Sequence, residues 1–368
     1  MKKTGFLALG LILAGLLLAA PPPIRRGALI PGAARPAAAP AKPAARTTTP
    51  AARSAAKPSA RPAAAVPARK GPPPMTGKPA GKGKGPEVPY RSAIAVDESG
   101  RVLFADKENN SSYPASVTKL MTFLLVLEDI QAGAYKLTDR AAASVYASTM
   151  EPSSVGIKPG ETMTIEDLLY AIMIKSANDA AVVLAEHAAW AKSGGKGPLP
   201  AEQKGKAMVE AFVARMNARA RELGMNATTY ASPNGLPPGL QEKRGFDTST
   251  AADIAKLCRR IVQIPGALKY TSSASKTITD GSGQKAGLTT HNYFLPGSHD
   301  KDGCARPIEG CDGLKTGYTA VSGSSIALTA ARNKRRVIVV VLGSAGRHER
   351  EAAAGRILRD ALDAVSIW

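Results

Sequence analysis

The sequence predicts an α+β domain in which one antiparallel sheet is flanked by helices, with a helical lobe inserted in the sheet. Two observations support this fold class. Strand patterns occur just after Tyr90 and again after Gly313, and the region between them is dominated by helical periodicity. Because the strand patterns lie at both ends of the folded part, we expect its two ends to pair and to close a single sheet.

Residues 1–20 have the layout of a secretory signal. Lys2 and Lys3 precede an apolar run over residues 6–20, which is short for a membrane-spanning helix. Pro21 is unfavourable directly after a cleavage site, so an uncleaved N-terminal membrane anchor is the alternative. Both alternatives predict an exported chain, in the periplasm or on the outer face of the cytoplasmic membrane.

Residues 21–89 form a predicted disordered linker, because their Ala-, Pro- and Lys/Arg-rich composition cannot bury a core. They hold thirteen lysines or arginines and one acid, which is most of the net charge of +20. Without an aromatic residue to stack on bases, the linker does not predict nucleic-acid binding. Anionic wall polymers or a membrane surface are the expected electrostatic partners, and a solvated spacer is the alternative.

Residues 90–368 are the predicted folded domain. It opens with a hairpin, strands 92–96 and 101–105 around a turn at Asp97-Glu-Ser-Gly100. Helical patterns then cover residues 117–130, 165–174, a segment from 178 onward, 208–223 and 251–262. Residues 192–206 are rich in Gly, Lys and Pro and indicate a surface insertion. Three strands at 313–319, 324–331 and 337–342 and a helix at 348–365 complete the domain.

Three short motifs occur in a fixed order: Ser116-Val-Thr-Lys119, Ser176-Ala-Asn178 and Lys315-Thr-Gly317. Each is weak alone, since Ser-x-x-Lys occurs six times in the chain. Ser232-Pro-Asn234 likewise matches the second motif, and Lys3-Thr-Gly5 matches the third. Only their order and the structural element that each motif occupies therefore indicate a function.

Ser116 is a candidate nucleophile. It follows Pro114-Ala115, where we expect an extended chain, and it opens a helix whose dipole favours a developing alkoxide. Lys119 lies one helical turn away on the same face. A lysine can take the serine proton only when it is neutral, which requires desolvation or a nearby cation such as Lys315. For an isolated motif, helix capping and an exposed lysine are the ordinary alternatives.

Ser176 and Asn178 lie at the predicted junction of two helices, where side chains can point into a cleft. The serine hydroxyl can relay a proton, and the asparagine amide can hold a peptide carbonyl and a lysine ammonium together. Helix capping is the competing interpretation.

Lys315, Thr316 and Gly317 lie on a predicted strand, at an edge or a twist of the sheet. A cation and a hydroxyl beside a strand edge suit a substrate carboxylate on an extended peptide. We expect Gly317 to let the substrate backbone approach closely.

The segments Pro114–Thr122, Ser176–Ala180 and Asp312–Gly317, with Met216-Asn217 and Leu223-Gly-Met225, resemble the low-molecular-mass penicillin-binding proteins. The closest group is the active-site serine D-alanyl-D-alanine carboxypeptidases, and the resemblance covers residues 90–368. It implies a penicillin-binding protein/β-lactamase-like fold. It also implies release of the terminal D-alanine from peptidoglycan stem pentapeptides through an acyl-enzyme on Ser116, with β-lactams as inhibitors.

The resemblance also implies residue roles. Ser116 would be the nucleophile, Lys119 its base, Ser176 a proton relay and Asn178 a substrate-positioning group. Lys315 and Thr316 would bind the terminal carboxylate, and the N–H groups of Ser116 and Tyr318 would form the oxyanion hole. His291 and Asn292 fall where relatives place a basic residue and an asparagine, and are weaker binding candidates. No cofactor or metal is expected, since the four histidines form no ligand pair.

Three alternatives remain. A D,D-endopeptidase would use the same residues on peptidoglycan cross-links. A class A β-lactamase needs a Glu-x-x-Leu-Asn loop, whereas residues 226–236 look like the carboxypeptidase pattern. A non-enzymatic wall-tethering module predicts a missing nucleophile or base, and both are present.

Three cysteines are too few for a disulfide scaffold. Cys304 and Cys311 are candidates for one disulfide because an exported chain meets oxidising conditions, and two free thiols are an equal alternative. Cys258 is expected to be a small core residue.

Overall fold

The structure is a computed structural model that describes residues 89–199, 205–239 and 244–366, all within one compact unit, Pro67–Trp368. The predicted leader, residues 1–20, and the linker up to residue 88 lie outside the described residues. Among the helices that are described, none combines the length and apolar character needed to span a membrane.

Within the described residues, nine strands form a five-stranded antiparallel sheet and two small two-stranded sheets. The main sheet has the order β2-β1-β9-β8-β7, while β3 pairs with β4 and β5 with β6. The strands are β1 (Ser92–Asp97), β2 (Val102–Asp106), β3 (Arg140–Ala142), β4 (Thr162–Thr164), β5 (Ser275–Thr279), β6 (Lys285–Thr289), β7 (Cys311–Thr319), β8 (Gly323–Arg332) and β9 (Arg335–Ser344).

The described part of the chain also contains seven α-helices and three shorter turns of helix. The α-helices are α1 (Lys119–Gln131), α2 (Val145–Ser148), α3 (Ile165–Tyr170), α4 (Asn178–Lys192), α5 (Gly205–Glu222), α6 (Ala251–Val262) and α7 (Arg347–Ser366). The shorter turns are 3₁₀-helices at Ala115–Thr118 and Ala267–Tyr270 and a π-helix at Ala171–Lys175.

The two ends of the folded part close the sheet, as the sequence predicts. β1 pairs antiparallel with β9, with Ala95 opposite Val339. Side chains alternate along β9, so that Val339 joins a core beneath α7 while Val340 joins a larger core with α1, α4 and α6. The valine-rich strand is therefore buried on both faces, which explains its continuous apolar sequence.

Most predicted helices are present, with informative differences. The helix expected from Val117 starts at Lys119, after a 3₁₀ turn. The helix expected over 165–174 changes to a π-helix for its last turn. The predicted insertion lies between Lys192 and Gly205, the end of α4 and the start of α5. The hairpin of β5 and β6 was missed because its exposed polar residues give no clear apolar alternation.

Candidate active site

Ser116 lies on a tight turn rather than after an extended segment. Pro114 has helical dihedrals (φ −74°, ψ −13°), and Ala115 has a positive φ of 49°. The expectation of an extended chain was therefore wrong: the N–H of Val117 donates to the Pro114 carbonyl (3.2 Å) and closes the turn. A left-handed alanine costs about 1–2 kcal/mol, so the surrounding structure must hold this turn in place.

The amine of Lys119 joins three segments of the chain. It lies 2.9 Å from Ser116 Oγ, 2.7 Å from Asn178 Oδ1 and 2.7 Å from the carbonyl oxygen of Asn234. A neutral amine has two N–H donors and one lone pair. The two carbonyl-type oxygens can only accept, so they take the two N–H groups and leave the lone pair facing the Ser116 hydroxyl.

The surroundings of Lys119 favour its neutral form. The side chain is fully buried, and this desolvation lowers its pKa well below the ordinary lysine value. The nearby cation of Lys315 lowers the pKa further, while Asp247 and Asp179 oppose the shift. The hypothesis that burial and Lys315 together free the lysine of its proton agrees with this arrangement.

Ser176 and Asn178 do lie at a helix junction. The π-helix ends at Lys175, Ser176 is left-handed (φ 67°), and α4 begins at Asn178. A π-turn followed by a strained residue is common at functional sites. Asn178 contacts Lys119 directly, whereas the hydrogen bonds found for Ser116 and Lys119 in the described residues do not include Ser176.

Lys315 lies on the edge strand β7, as expected, and is almost fully buried. Its Nζ donates to the carbonyl of Thr316 (2.9 Å). Burial lowers the pKa of Lys315 to about 7, and the neighbouring Arg350 cation acts in the same direction. Thr316 is also buried, while Tyr318 is 66% exposed at the end of the strand.

Two glycines bring backbone segments against the nucleophile turn. A Cβ at Gly317 would lie 2.8 Å from the Pro114 carbonyl oxygen and 3.1 Å from Ser116 N. A Cβ at Gly235 would lie 1.9 Å from the Ala115 carbonyl oxygen. The close approach at Gly317 is therefore with the protein's own backbone, and this contact, rather than a substrate, requires the glycine.

Asn234 is a site residue that the sequence argument missed. Its carbonyl is one of the three partners of Lys119. The segment is anchored by Ser232 Oγ, which donates to Asp247 (2.6 Å), and by Thr122 Oγ1, which donates to the Pro233 carbonyl (2.7 Å). The available signal was Ser232-Pro-Asn234, which had counted only as a second match to the Ser-x-Asn pattern.

His291 and Asn292 lie in the loop that precedes β7. The His291 ring is open to solvent on one side, yet partial desolvation and the cations Lys315 and Arg350 lower its pKa to about 4. His291 is therefore neutral at pH 7. Asn292 is buried, and its Oδ1 accepts the N–H of Phe294 (3.2 Å), so this side-chain oxygen organises the loop.

Cys304 and Cys311 do not form a disulfide in the structure; both are free thiols. Cys304 Sγ lies 3.2 Å from Nδ1 of His348, whereas Cys311 is buried and its thiol donates to the Gly313 carbonyl (3.7 Å). The two sulfurs thus face different partners. Cys258 is buried in the core, as expected. Within residues 89–199, 205–239 and 244–366, no group of His, Cys, Asp and Glu side chains could hold a metal ion.

A serine hydroxyl beside a buried lysine whose pKa is lowered, next to the edge strand of an antiparallel sheet, is typical of serine–lysine acyl-transfer sites. Residues 80–346 match the peptidase S11 family, described as D-alanyl-D-alanine carboxypeptidases. The chain belongs to this family, which confirms the resemblance to the low-molecular-mass penicillin-binding proteins.

Individual relatives agree with this assignment. The chain is 29% identical over 269 residues to the D-alanyl-D-alanine carboxypeptidase DacF of Bacillus subtilis, covering 73% of this chain and 61% of that protein. It therefore spans about three fifths of the length of this relative. It is 28% identical over 292 residues to a D-alanyl-D-alanine endopeptidase of Pseudomonas aeruginosa, covering 78% of this chain and 81% of that protein.

Among solved structures, penicillin-binding protein D2 of Listeria monocytogenes in its ampicillin-bound form superposes with a TM-score of 0.58 at 27% identity. The superposition covers 76% of this chain and 99% of that protein. The α+β fold class predicted from the sequence is confirmed.

Proposed function

We propose that this chain is a serine-type D-alanyl-D-alanine carboxypeptidase that releases the terminal D-alanine from peptidoglycan stem pentapeptides. The observation that carries the proposal is the Lys119 amine, whose two N–H groups are taken by fixed oxygens while its lone pair faces Ser116 Oγ. This is the arrangement that a lysine general base requires.

Acylation would begin when Ser116 Oγ transfers its proton to Lys119 Nζ and attacks the carbonyl carbon of the penultimate D-alanine. The resulting oxyanion would accept hydrogen bonds from the N–H groups of Ser116 and Tyr318. The peptide C–N bond then breaks, and the nitrogen of the departing D-alanine takes the proton from Lys119, with Ser176 as relay. Water hydrolyses the Ser116 ester by the reverse sequence of proton transfers.

The substrate would bind along the outer edge of β7, the last strand of the sheet. An extended peptide can add to this edge through backbone hydrogen bonds. Lys315 and Thr316 supply a cation and a hydroxyl for the terminal carboxylate, and Asn178, held by Lys119, supplies an amide for the peptide backbone.

β-Lactams would acylate the same serine, because their strained amide presents a carbonyl and a carboxylate in a similar arrangement. The similarity to a penicillin-binding protein whose structure contains ampicillin supports this proposal. An endopeptidase acting on cross-links is the second candidate, supported by the Pseudomonas relative of that name. Product analysis separates the two: free D-alanine from a pentapeptide, or cleavage of a cross-linked dimer.

The domain organisation and location are part of the proposal. Residues 1–20 would export the chain or anchor it, and residues 21–89 would tether the catalytic domain, residues 90–368. The basic linker would contact anionic wall polymers or a membrane surface. The enzyme would then act in the periplasm or on the outer face of the cytoplasmic membrane, where peptidoglycan is found.

Intact-mass analysis after treatment with benzylpenicillin tests the mechanism. We expect one adduct, mapped to Ser116 and absent in Ser116→Ala. Lys119→Ala should slow acylation by about 10³–10⁴-fold, the scale seen when a nucleophile loses its base. Lys285→Ala is a matched control, because Ser282-Gly-Gln-Lys285 repeats the Ser-x-x-Lys pattern on an exposed hairpin. An adduct elsewhere, or none on folded protein, contradicts the proposal.

A further inference from the structure

A cavity lies beside the segment that carries Ser176 and Asn178 in the candidate active site. It has a volume of about 390 Å³, and Lys175, Ser153, Gly287, Thr289 and His291 contribute to its walls. Lys175 directly precedes Ser176 of the second motif, and His291 lies close enough to Lys315 for the two to interact electrostatically. The cavity thus lies next to the second motif, and its volume is large enough for part of a peptide substrate.

One wall of this cavity is hydrogen-bonded to the segment that carries Ser176 and Asn178. Ser153 Oγ donates to the Lys175 carbonyl (3.0 Å), and the Ser153 carbonyl accepts the N–H of Asn178 (2.6 Å). The carboxylate of Asp179 accepts the N–H groups of Gly156 (2.9 Å) and the residue that follows it. These bonds fix the loop over Lys175, so the cavity is formed before any substrate binds.

The charge around the cavity is positive and incompletely neutralised. The cations that contribute most to the lowered pKa of His291 are Lys315, Arg350, Lys175 and Arg347. The arginines pair with acids of their own, Arg350 with Glu351 and Arg347 with Asp302.

Lys175 differs from these arginines. Within the described residues, no carboxylate lies in ion-pair distance of its Nζ. Two acids close to the cavity-lining residues in sequence have other hydrogen-bond partners. Asp179 accepts backbone N–H groups, and Glu151 accepts the Ser154 hydroxyl (2.7 Å). An uncommitted ammonium facing a preformed cavity favours an anionic occupant.

Another wall of the cavity includes a glycine, Gly287. Gly287 lies on β6, and a Cβ built there would meet no atom within 4 Å. Its φ lies outside the positive range, so a larger residue would fit the backbone and would project into free space. Thr289, two residues along the same strand, also lines the cavity and has a hydroxyl that can donate a hydrogen bond.

We propose that Lys175 and this cavity bind a second carboxylate of the substrate, distinct from the terminal carboxylate assigned to Lys315 and Thr316. The inference rests on the proposed carboxypeptidase function and names a specificity determinant for it. His291 is neutral at pH 7, so among the described residues that line the cavity Lys175 supplies the positive charge.

Matched peptides ending in D-Ala-D-Ala test this. In the first pair, the residue before D-Ala-D-Ala has a side-chain carboxylate in one peptide and the corresponding amide in the other. In the second pair, the same difference is placed on the C-terminal residue, which leaves when the peptide bond is cleaved. For one pair we expect wild-type kcat/KM to be about tenfold higher with the carboxylate, as for a charge-assisted hydrogen bond. The pair that shows the preference identifies which side of the scissile bond the cavity serves.

Lys175→Gln should bring that ratio to about one, and Lys175→Glu should favour the amide. Lys136→Gln, an exposed lysine on another face, should keep the wild-type ratio. Gly287→Val should narrow the cavity. It should therefore reduce kcat/KM for the carboxylate peptide more than for a short diacetylated peptide that ends in D-Ala-D-Ala and lacks the second carboxylate.

If turnover is normal but neither pair shows a preference, or if Lys175→Gln retains the preference, the assignment is wrong while the carboxypeptidase function stands. If no peptide is hydrolysed and penicillin forms no adduct, the proposed function fails and this assignment fails with it. Equal unfolding midpoints for the variants separate these outcomes from loss of the fold.

Discussion

Lys119 shows how one residue's surroundings set its chemistry. On an exposed helix this side chain would be an ordinary cation. Here it is fully buried, lies near a second lysine, and donates to two oxygens that cannot donate in return. Each feature disfavours the ammonium or directs the lone pair, so a lysine can serve where many hydrolases use histidine.

The two lysines predict a bell-shaped pH dependence of kcat/KM for peptide substrates. Activity should fall as the pH drops through the lowered pKa of Lys119, because a protonated amine cannot accept the serine proton. It should also fall as the pH rises through about 7, where Lys315 loses the charge that holds the substrate carboxylate.

Initial-rate measurements from acidic to alkaline pH check this profile. The same peptide with its C-terminal carboxylate amidated should lose the alkaline limb and keep the acidic one. An alkaline limb of equal size with both peptides would contradict the role of Lys315.

Gly235→Ala should have two effects that can be measured separately. Backbone strain should lower the unfolding free energy, and displacement of Ser116 should lower the acylation rate. Its φ of 83° and its contact with the Ala115 carbonyl both oppose a side chain. We expect a loss of about 1–2 kcal/mol in unfolding free energy from the dihedral alone. Movement of the Ser116 turn should add a loss of about 10²-fold in penicillin acylation rate.

Gly133→Ala is the control, since Gly133 has a φ of 74° but no atom near its missing Cβ. This variant should lose a similar amount of unfolding free energy, because alanine disfavours the positive φ, and should be acylated at the wild-type rate. Wild-type acylation by Gly235→Ala would show that the turn is not held by this contact.

At the scale of secondary-structure elements, α4 links the site to the helical lobe. Its first residue, Asn178, contacts Lys119, and residues 178–189 are buried. The helix carries a buried acid, Glu186, whose Oε1 accepts the Ser144 hydroxyl (2.6 Å) at the start of α2. Burial raises the pKa of Glu186 to about 7, so this contact depends on pH.

Glu186 predicts a loss of stability as the pH rises. The unfolded carboxyl titrates near 4.5 and the folded one near 7, so the folded state holds the proton more tightly between these values. The stabilisation is complete below pH 4.5 and disappears as the pH passes 7, a change of about 3 kcal/mol.

Denaturant unfolding at pH 5 and pH 8 should show this difference in the wild type and a much smaller one in Glu186→Gln. Glu210→Gln, an exposed acid on α5, should retain the wild-type difference. An unchanged pH dependence in Glu186→Gln would exclude Glu186 as its source.

Elements with a strong apolar period were predicted well. The hairpin of β1 and β2, helix α6 and strands β8 and β9 fall within a few residues of their expected bounds. The π-helix before Ser176 and the 3₁₀ turn before Lys119 were not predicted. Both depend on contacts with distant segments, such as the bond from Asn178 N to Ser153, which local periodicity does not encode.

At the scale of the whole molecule, the described contacts of the candidate site join the sheet, the helical lobe and the loop of Asn234. These contacts lie within residues 89–366. We therefore expect a chain lacking residues 1–79 to fold with the stability of the full chain and to be acylated by penicillin at the same rate. A chain that also lacks β1 should not fold, because β1 lies between β2 and β9.

Circular dichroism and penicillin labelling check both truncations. Retained labelling without β1 would contradict the sheet order. A loss of folding on removing residues 1–79 alone would contradict the proposed boundary between linker and catalytic domain.

Local sequence was sufficient for the fold class and for the motif residues. Alternating and helical apolar patterns report burial directly, and the order of the three motifs identified Ser116, Lys119, Asn178 and Lys315 as candidates. The contacts among them come from segments distant in sequence, and no local pattern specifies these.

The carbonyl of Asn234 contacts Lys119 across 115 residues, and Gly235 and Gly317 meet the nucleophile turn from two other segments. The same holds for Lys175, whose sequence context shows only a lysine before a motif. Its free ammonium faces a cavity because a loop and a hairpin from elsewhere in the chain enclose it. Burial and electrostatic potential arise from all neighbouring atoms in space, so the folded structure was needed to reveal them.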